Sequence, residues 1–213
     1  HEGRLAEHPI APPRPWGDEF AGVDLEDEAQ AIDALHAAFE RAVAEDPDYA
    51  LAWAGISNAY NSLNFYGFDP AIAVDKADAA IRRAVDLDSE LAEVQAALGL
   101  REAFSGWNWS AGEEALTRAL ERSPGLTLAL CWSGFVFANT GRFEEAVQAN
   151  RRAVEQDPLS SYALTALGWS LIQAGEFDRA ILGLEEAREL APDYLFTYWV
   201  LGGAYAAAGR HEE

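Results

Sequence analysis

Ser161–Pro192 reads SYALTALGWSLIQAGEFDRAILGLEEARELAP, and its landmarks recur at a step of 34 residues along the chain. Gly168 is matched by Gly134 and Gly202, and Gly175 by Gly141 and Gly209. Pro192 is matched by Pro158 and Pro124, and Ala187 by Ala153 and Ala119. Phe177 and Ala180 answer Phe143 and Ala146. One period shared by several residue classes is the mark of a stacked repeat, and it governs every later inference about the fold.

The residue types give each unit its geometry. A first helix of about 14 residues, a short turn, a second helix and a proline exit are expected. In Thr127–Pro158 the first helix is predicted to end near Asn139. Thr140-Gly141-Arg142 then turns the chain, because glycine takes the left-handed conformation that closes a helix. Phe143–Gln156 is predicted as the second helix, and Pro158 stops it for want of an amide proton. Gly134 lies inside a predicted helix, where glycine costs roughly 1 kcal/mol against alanine. Its recurrence at Gly168 and Gly202 therefore predicts that two helices cross closely at each. Ala146 and Ala153 are the small residues facing that crossing, with Phe143 and Val147 filling the space between.

The pattern Leu167-Gly168, Leu171, Gly175, Phe177, Ala180, Ala187, Pro192 resembles the tetratricopeptide repeat, over roughly Asp27 to the carboxyl end. The resemblance implies an all-α, right-handed superhelical solenoid of antiparallel helix pairs, with first helices lining the concave side. Residues 1–26 are expected to be a Pro-rich, acidic extension or linker, and 27–213 the array. Within it we expect a half repeat at 27–47, repeats near 50–89, 92–124, 127–158 and 161–192, and the first helix of a truncated repeat at 195–213.

The earlier units depart from the strict period. Gly99 to Gly134 spans 35 residues, which places one inserted residue near Trp107-Asn108-Trp109. Ser89 stands where a proline would end its unit. Pro47 to Ser89 spans 42 residues, and the excess is expected in a loop at Asn61–Pro70 (NSLNFYGFDP) between helices near Leu51–Tyr60 and Ala71–Leu87. Glu28–Glu45 is expected as a lone second helix carrying Phe39 and Ala42, and Leu195–Ala208 as a final first helix. The spelling DPDYALAWAGISNAY, followed by ERSPG, resembles arrays of bacterial multidomain signalling proteins. That parallel implies a regulatory region whose cyclase, kinase or winged-helix output module lies elsewhere.

Half of the residues are apolar, enough for a sizeable core, and abundant alanine with few β-branched runs favours helices. No apolar stretch approaches the length of a membrane span, so membrane insertion is not expected. The start of the chain lacks the basic-then-apolar layout of a signal peptide, and a cytoplasmic location is favoured. It also lacks an initiator methionine, so the sequence is read as a processed product or a fragment. The formal charge of −21, with Lys76 as the sole lysine, makes nucleic acid an unfavourable partner. It fits either a solvated acidic surface or attraction of a basic partner. The single cysteine, Cys131, excludes an internal disulfide and any cysteine-based zinc site. Pro9, Pro12, Pro13 and Pro15 favour an extended path, with Trp16 and Phe20 as anchors over the first helix. Asp18 to Glu40 contains eight acidic residues and no basic one, the composition of a solvated face.

No catalytic constellation is expected, and the chain is read as a non-enzyme with no cofactor and no metal. His1, His8, His36 and His211 lack ligand spacing, and His36 is taken for a residue near a core face. Gly202-Gly203 follows no strand and opens no phosphate loop. Glu113-Glu114 and Glu144-Glu145 are expected at the starts of second helices, where acids complement the helix dipole.

The groove carries the functional expectation. By the resemblance, the second, fifth, ninth and twelfth residues of each first helix face the concave side, in one stripe. They are Leu51, Ala54, Asn58 and Asn61; Glu93, Ala96, Leu100 and Ala103; then Leu128, Cys131, Phe135 and Ala138. Two further rows are Tyr162, Thr165, Trp169 and Ile172, and Phe196, Trp199, Gly203 and Ala206. The candidate partner-binding residues are Leu128, Cys131, Phe135, Tyr162, Thr165, Trp169, Phe196 and Trp199, since large apolar residues on a wet stripe mark an interface. Packing of these aromatics between neighbouring first helices is the alternative. Family members that clamp a carboxyl terminus use lysines where this chain has Ala54 and Ser62, so that subtype is excluded although Asn58 matches. The expected partner is a protein or peptide offering an apolar or basic segment, with self-association through the carboxyl-terminal end as the competing role.

Overall fold

The computed structural model describes residues 37–65 and 70–210. Among them every regular element is a helix. In chain order these are α1 (37–45), α2 (Ala50–Phe65), α3 (Pro70–Leu87), α4 (Ala92–Phe104) and α5 (Trp109–Arg122). There follow α6 (Thr127–Asn139), α7 (Phe143–Gln156), α8 (Ser161–Gln173), α9 (Phe177–Leu190) and α10 (Leu195–Ala207). No described helix is long and apolar enough to cross a membrane. The expectations placed on Trp16, Phe20, the prolines, residues 28–36 and the four histidines lie outside the described residues.

The helices pair in antiparallel hairpins, α2 with α3, α4 with α5, α6 with α7 and α8 with α9. Successive first helices also pack on one another, α2 on α4, α4 on α6, α6 on α8 and α8 on α10. Successive second helices make no such contact. Tight packing on one edge and splaying on the other curve the stack, so the first helices form the inner face.

Glycine sets the hairpin crossings. A Cβ on Gly99 would stand 2.6 Å from Leu116, and one on Gly168 would stand 2.5 Å from Leu184. At Gly134 the same space is filled by Asn150. Nothing lies within 4 Å of a Cβ at Gly202, so the predicted close crossing holds at Gly134 and Gly168 and not at Gly202. No described second helix packs there. Ala146 and Ala153 are fully buried, Val147 is buried, and Phe143 is 39% exposed and does not fill the interior as expected.

The turns follow a shared scheme. Gly141, Gly175 and Gly209 take φ of 80°, 78° and 73°. The amides of Arg142, Glu176 and Arg210 then close the helix ends onto the carbonyls of Phe137, Leu171 and Tyr205. In the α4–α5 turn the amide of Asn108 reaches one residue further back, to Glu102, which accommodates the inserted residue. The long second unit differs from expectation. α2 continues to Phe65 and α3 starts at Pro70, so extra residues lengthen the helices to 16 and 18 residues. Proline is tolerated in the first helical turn because its missing amide has no helical acceptor there.

Candidate partner-binding groove

The inner face is lined from α4, α6, α8 and α10, and its aromatics fall into two groups. In the first, Trp169 of α8 stacks on Trp199 of α10, with centroids 5.4 Å apart and planes 20° apart. Phe196 also stacks with Trp199, at 5.6 Å and 25°, and Tyr194 lies 6.3 Å from Phe196. The step of one helical turn between Phe196 and Trp199 places both on one face. Trp199 remains 39% exposed, while Trp169 and Phe196 are half-buried. Stacked rings offer a broad apolar surface with little rotamer freedom to lose on binding.

The second group centres on Phe135 of α6. Its ring lies 5.6 Å from Phe104, 6.0 Å from Trp109 and 5.8 Å from Trp132. Trp132 reaches on to Tyr162 of α8 at 6.2 Å. Tyr162 is half-buried with its hydroxyl end withdrawn from water. Burial holds its phenol well above 10.0, and Cys131 and Tyr194 add to the shift.

Two candidates present no surface to a partner. Cys131 is 2% exposed and packs with Leu130, Ala153 and Ala163, and burial pushes its thiol up to about 12. Thr165 is fully buried, its hydroxyl donating to the Ser161 carbonyl and lying 2.7 Å from the Thr197 hydroxyl on α10. Both occupy the fifth place of a first helix, where neighbouring first helices touch. The equivalent residue of α10 is Trp199, over which no described first helix lies. Leu128 is half-buried at the edge. Trp132, Trp109 and Tyr194 join the aromatic surface although sequence reasoning did not place them there. The Trp107-Asn108-Trp109 insertion was the available signal for Trp109.

Two arginines tie the helices together around the groove. Arg101 of α4 donates from Nε and Nη2 to the two oxygens of Asp78 at 2.5 and 2.6 Å, tying α4 to α3. Arg142 grips Glu113 in the same two-pronged way at 2.9 and 2.6 Å and lies over the Phe137 ring. Glu113 therefore bridges adjacent repeats and does not open a helix as expected, since the first turn of α5 has no acid. Glu144 and Glu145 do lie in the first turn of α7.

A furrow of about 310 Å³ opens on the opposite side, between α5 and α7 with α6 as its floor. Leu120, Leu130, Val136 and Phe137 line it with Ser133, and Glu113, Glu121 and Arg152 stand at its walls. Ser133 precedes the crossing glycine, where the other units have Leu98, Leu167 and Leu201. The missing isobutyl group is part of that space. Among the described residues no group of three or more His, Cys, Asp or Glu side chains could hold a metal ion.

A stack of antiparallel helix hairpins, each first helix packed on the next, defines the class of helical-repeat solenoids. The chain belongs to the tetratricopeptide repeat family, whose model matches residues 101–161 and 165–213. Among solved structures, it is similar to human IFIT1, seen as a dimer with m7Gppp-AAAA, at 20% identity and a TM-score of 0.69. That match covers 85% of this chain and 44% of IFIT1, so the chain spans less than half of that relative. PilW, a type IV pilus biogenesis factor, is 21% identical with a TM-score of 0.60, covering 87% of this chain and 83% of PilW. YrrB, described as having an unusual peptide-binding site, is 21% identical with a TM-score of 0.50, covering 82% and 86%. No curated protein sequence matches the chain.

Proposed function

We propose that the array is a protein-interaction module that holds an apolar segment of a partner along its inner face, anchored on Trp169, Trp199 and Phe196. The observation that carries this reading is the clustering of Trp169, Trp199 and Phe196 across α8 and α10. Clustered aromatic side chains dominate binding energy where a partner covers them. The peptide-binding description of YrrB supports the same use of a similar fold. The charge of −21 supports a protein partner over RNA, whatever IFIT1 binds.

The test compares native protein with the Trp169→Ala/Trp199→Ala double variant in capture from source extract, followed by titration of each captured protein. Loss of at least about tenfold in affinity is expected, with helical content unchanged. Equal affinity for every captured protein abandons the groove.

A second reading is self-association through α10. Gly202 occupies the place where Gly99, Gly134 and Gly168 each receive a second-helix side chain, and nothing described stands against it. Sedimentation across a wide concentration range separates the two, a strict monomer dismissing self-association.

A further inference from the structure

Trp107 is the one non-glycine residue at positive φ among the described residues, at 50°. It lies 34 residues before Gly141, so it occupies the left-handed place that glycine fills at Gly141, Gly175 and Gly209. A bulky L-residue meets a steric cost there that glycine avoids. Burial does not offset that cost, for Trp107 is 74% exposed. Its ring makes an edge contact with Trp109, at 5.9 Å and 85°. Trp109 continues to Phe135 at 6.0 Å, so Trp107 is the outer end of an aromatic run that leads into the groove.

A side chain that strains the backbone and stays wet contributes little to folding, and strain of this kind persists where residues meet ligands. We propose that Trp107 is the docking anchor for an arginine-bearing segment of a protein partner. An exposed indole face attracts a guanidinium, more strongly than any other side-chain ring does. Glu102 stands beside the turn, its Oε2 3.4 Å from where a Cβ on Gly106 would lie and its Oε1 accepting from Arg101 Nη1 at 2.9 Å. The chain carries 36 acidic residues against 15 basic ones, and none of the concave positions named above is Arg or Lys. The net charge of −21 gives a cationic segment long-range attraction to the chain as a whole. The proposal rests on the reading of the chain as a partner-binding array but does not use the Trp169 stack.

The probe is a short peptide of alternating arginine and leucine, with a glutamine-for-arginine peptide as its control, titrated calorimetrically. Native protein and Leu159→Ala, an exposed change on a different turn, should bind the arginine peptide about tenfold more tightly than the glutamine one. Trp107→Gly should lose about tenfold in that affinity while its Tm holds or rises by about 2–4 °C. Equal affinity of the two peptides, unchanged binding by Trp107→Gly, or a fall in its Tm each overturns the proposal. The Trp169→Ala/Trp199→Ala variant keeps the two ideas apart. If it alone loses the peptide, the groove stands and Trp107 falls; if Trp107→Gly alone does, the reverse holds.

Discussion

Asn150 of α7 fills the space opposite Gly134 of α6, where the neighbouring hairpins set Leu116 against Gly99 and Leu184 against Gly168. Asn150 is 1% exposed, and its Nδ2 donates to the Ala166 carbonyl at 2.9 Å and to the Ser170 hydroxyl at 2.6 Å on α8. Its Oδ1 has no partner and Ser170 is itself fully buried. A buried acceptor left unmatched costs about 1–3 kcal/mol, whereas replacing a polar pair by apolar groups can stabilise. Asn150→Leu with Ser170→Ala is therefore expected to raise unfolding free energy by about 1 kcal/mol, and Asn150→Ala to lower it by a similar amount or more. Urea titration measures both. A double variant less stable than native would show that the polar contact itself holds α7 to α8.

Gly168 and Gly202 share one repeat position and should respond oppositely to alanine. At Gly168 the added carbon meets Leu184 at 2.5 Å, and overpacking of this kind costs roughly 1–3 kcal/mol. At Gly202 it meets nothing within 4 Å, and the gain in helix propensity is roughly 0.5–1 kcal/mol. Thermal melts of the two variants decide it. Equal shifts of the same sign would refute crossing control by glycine.

Ser133 leaves part of the furrow between α5 and α7 unfilled, and its hydroxyl turns back onto the Ala129 carbonyl at 2.8 Å. Ser133→Leu restores the residue of the other units. Filling of this type gives about 0.5–2 kcal/mol. A destabilised variant with displaced Phe137 would mean that the space is smaller in solution.

Cys131 couples stability to alkaline pH. Its thiol is raised from 9.0 to about 12 by burial, so the folded chain keeps a proton that the unfolded chain gives up. The folded state then binds more protons through this window, and stability falls as pH rises. The contribution is complete below about pH 9 and declines towards about 12, with Tyr162 acting in the same direction above 10.0. Cys131→Ala should flatten the lower part of that decline in urea midpoints. Native protein should also resist a thiol reagent at neutral pH that modifies the urea-unfolded chain at once. Rapid modification of the folded protein would contradict burial.

The repeat boundaries were legible because proline and glycine act locally: Gly141 and Pro158 fix where Thr127–Asn139 and Phe143–Gln156 stop, whatever surrounds them. The small-residue crossings were legible for the same reason, except at Gly202, whose role depends on a neighbour and not on its own helix. The Asn61–Pro70 segment misled because Asn and a following proline mark breaks as readily as they occupy helix ends. The groove was harder. Phe135, Trp169, Phe196 and Trp199 reach the inner face, but Cys131 and Thr165 are buried between first helices. The angle between neighbouring hairpins decides which positions open. That angle has no signature within a single helix, and Trp132 went unnoticed for that reason.

First helices touch along the stack, and each second helix packs on the first helix that follows it, so every hairpin is held to the next from two sides. A change of curvature therefore has to repack the contacts of α3, α5, α7 and α9 with the first helices that follow them. The pitch of the coil is then fixed by this two-sided packing from one unit to the next, as in any one-dimensional stack of repeats.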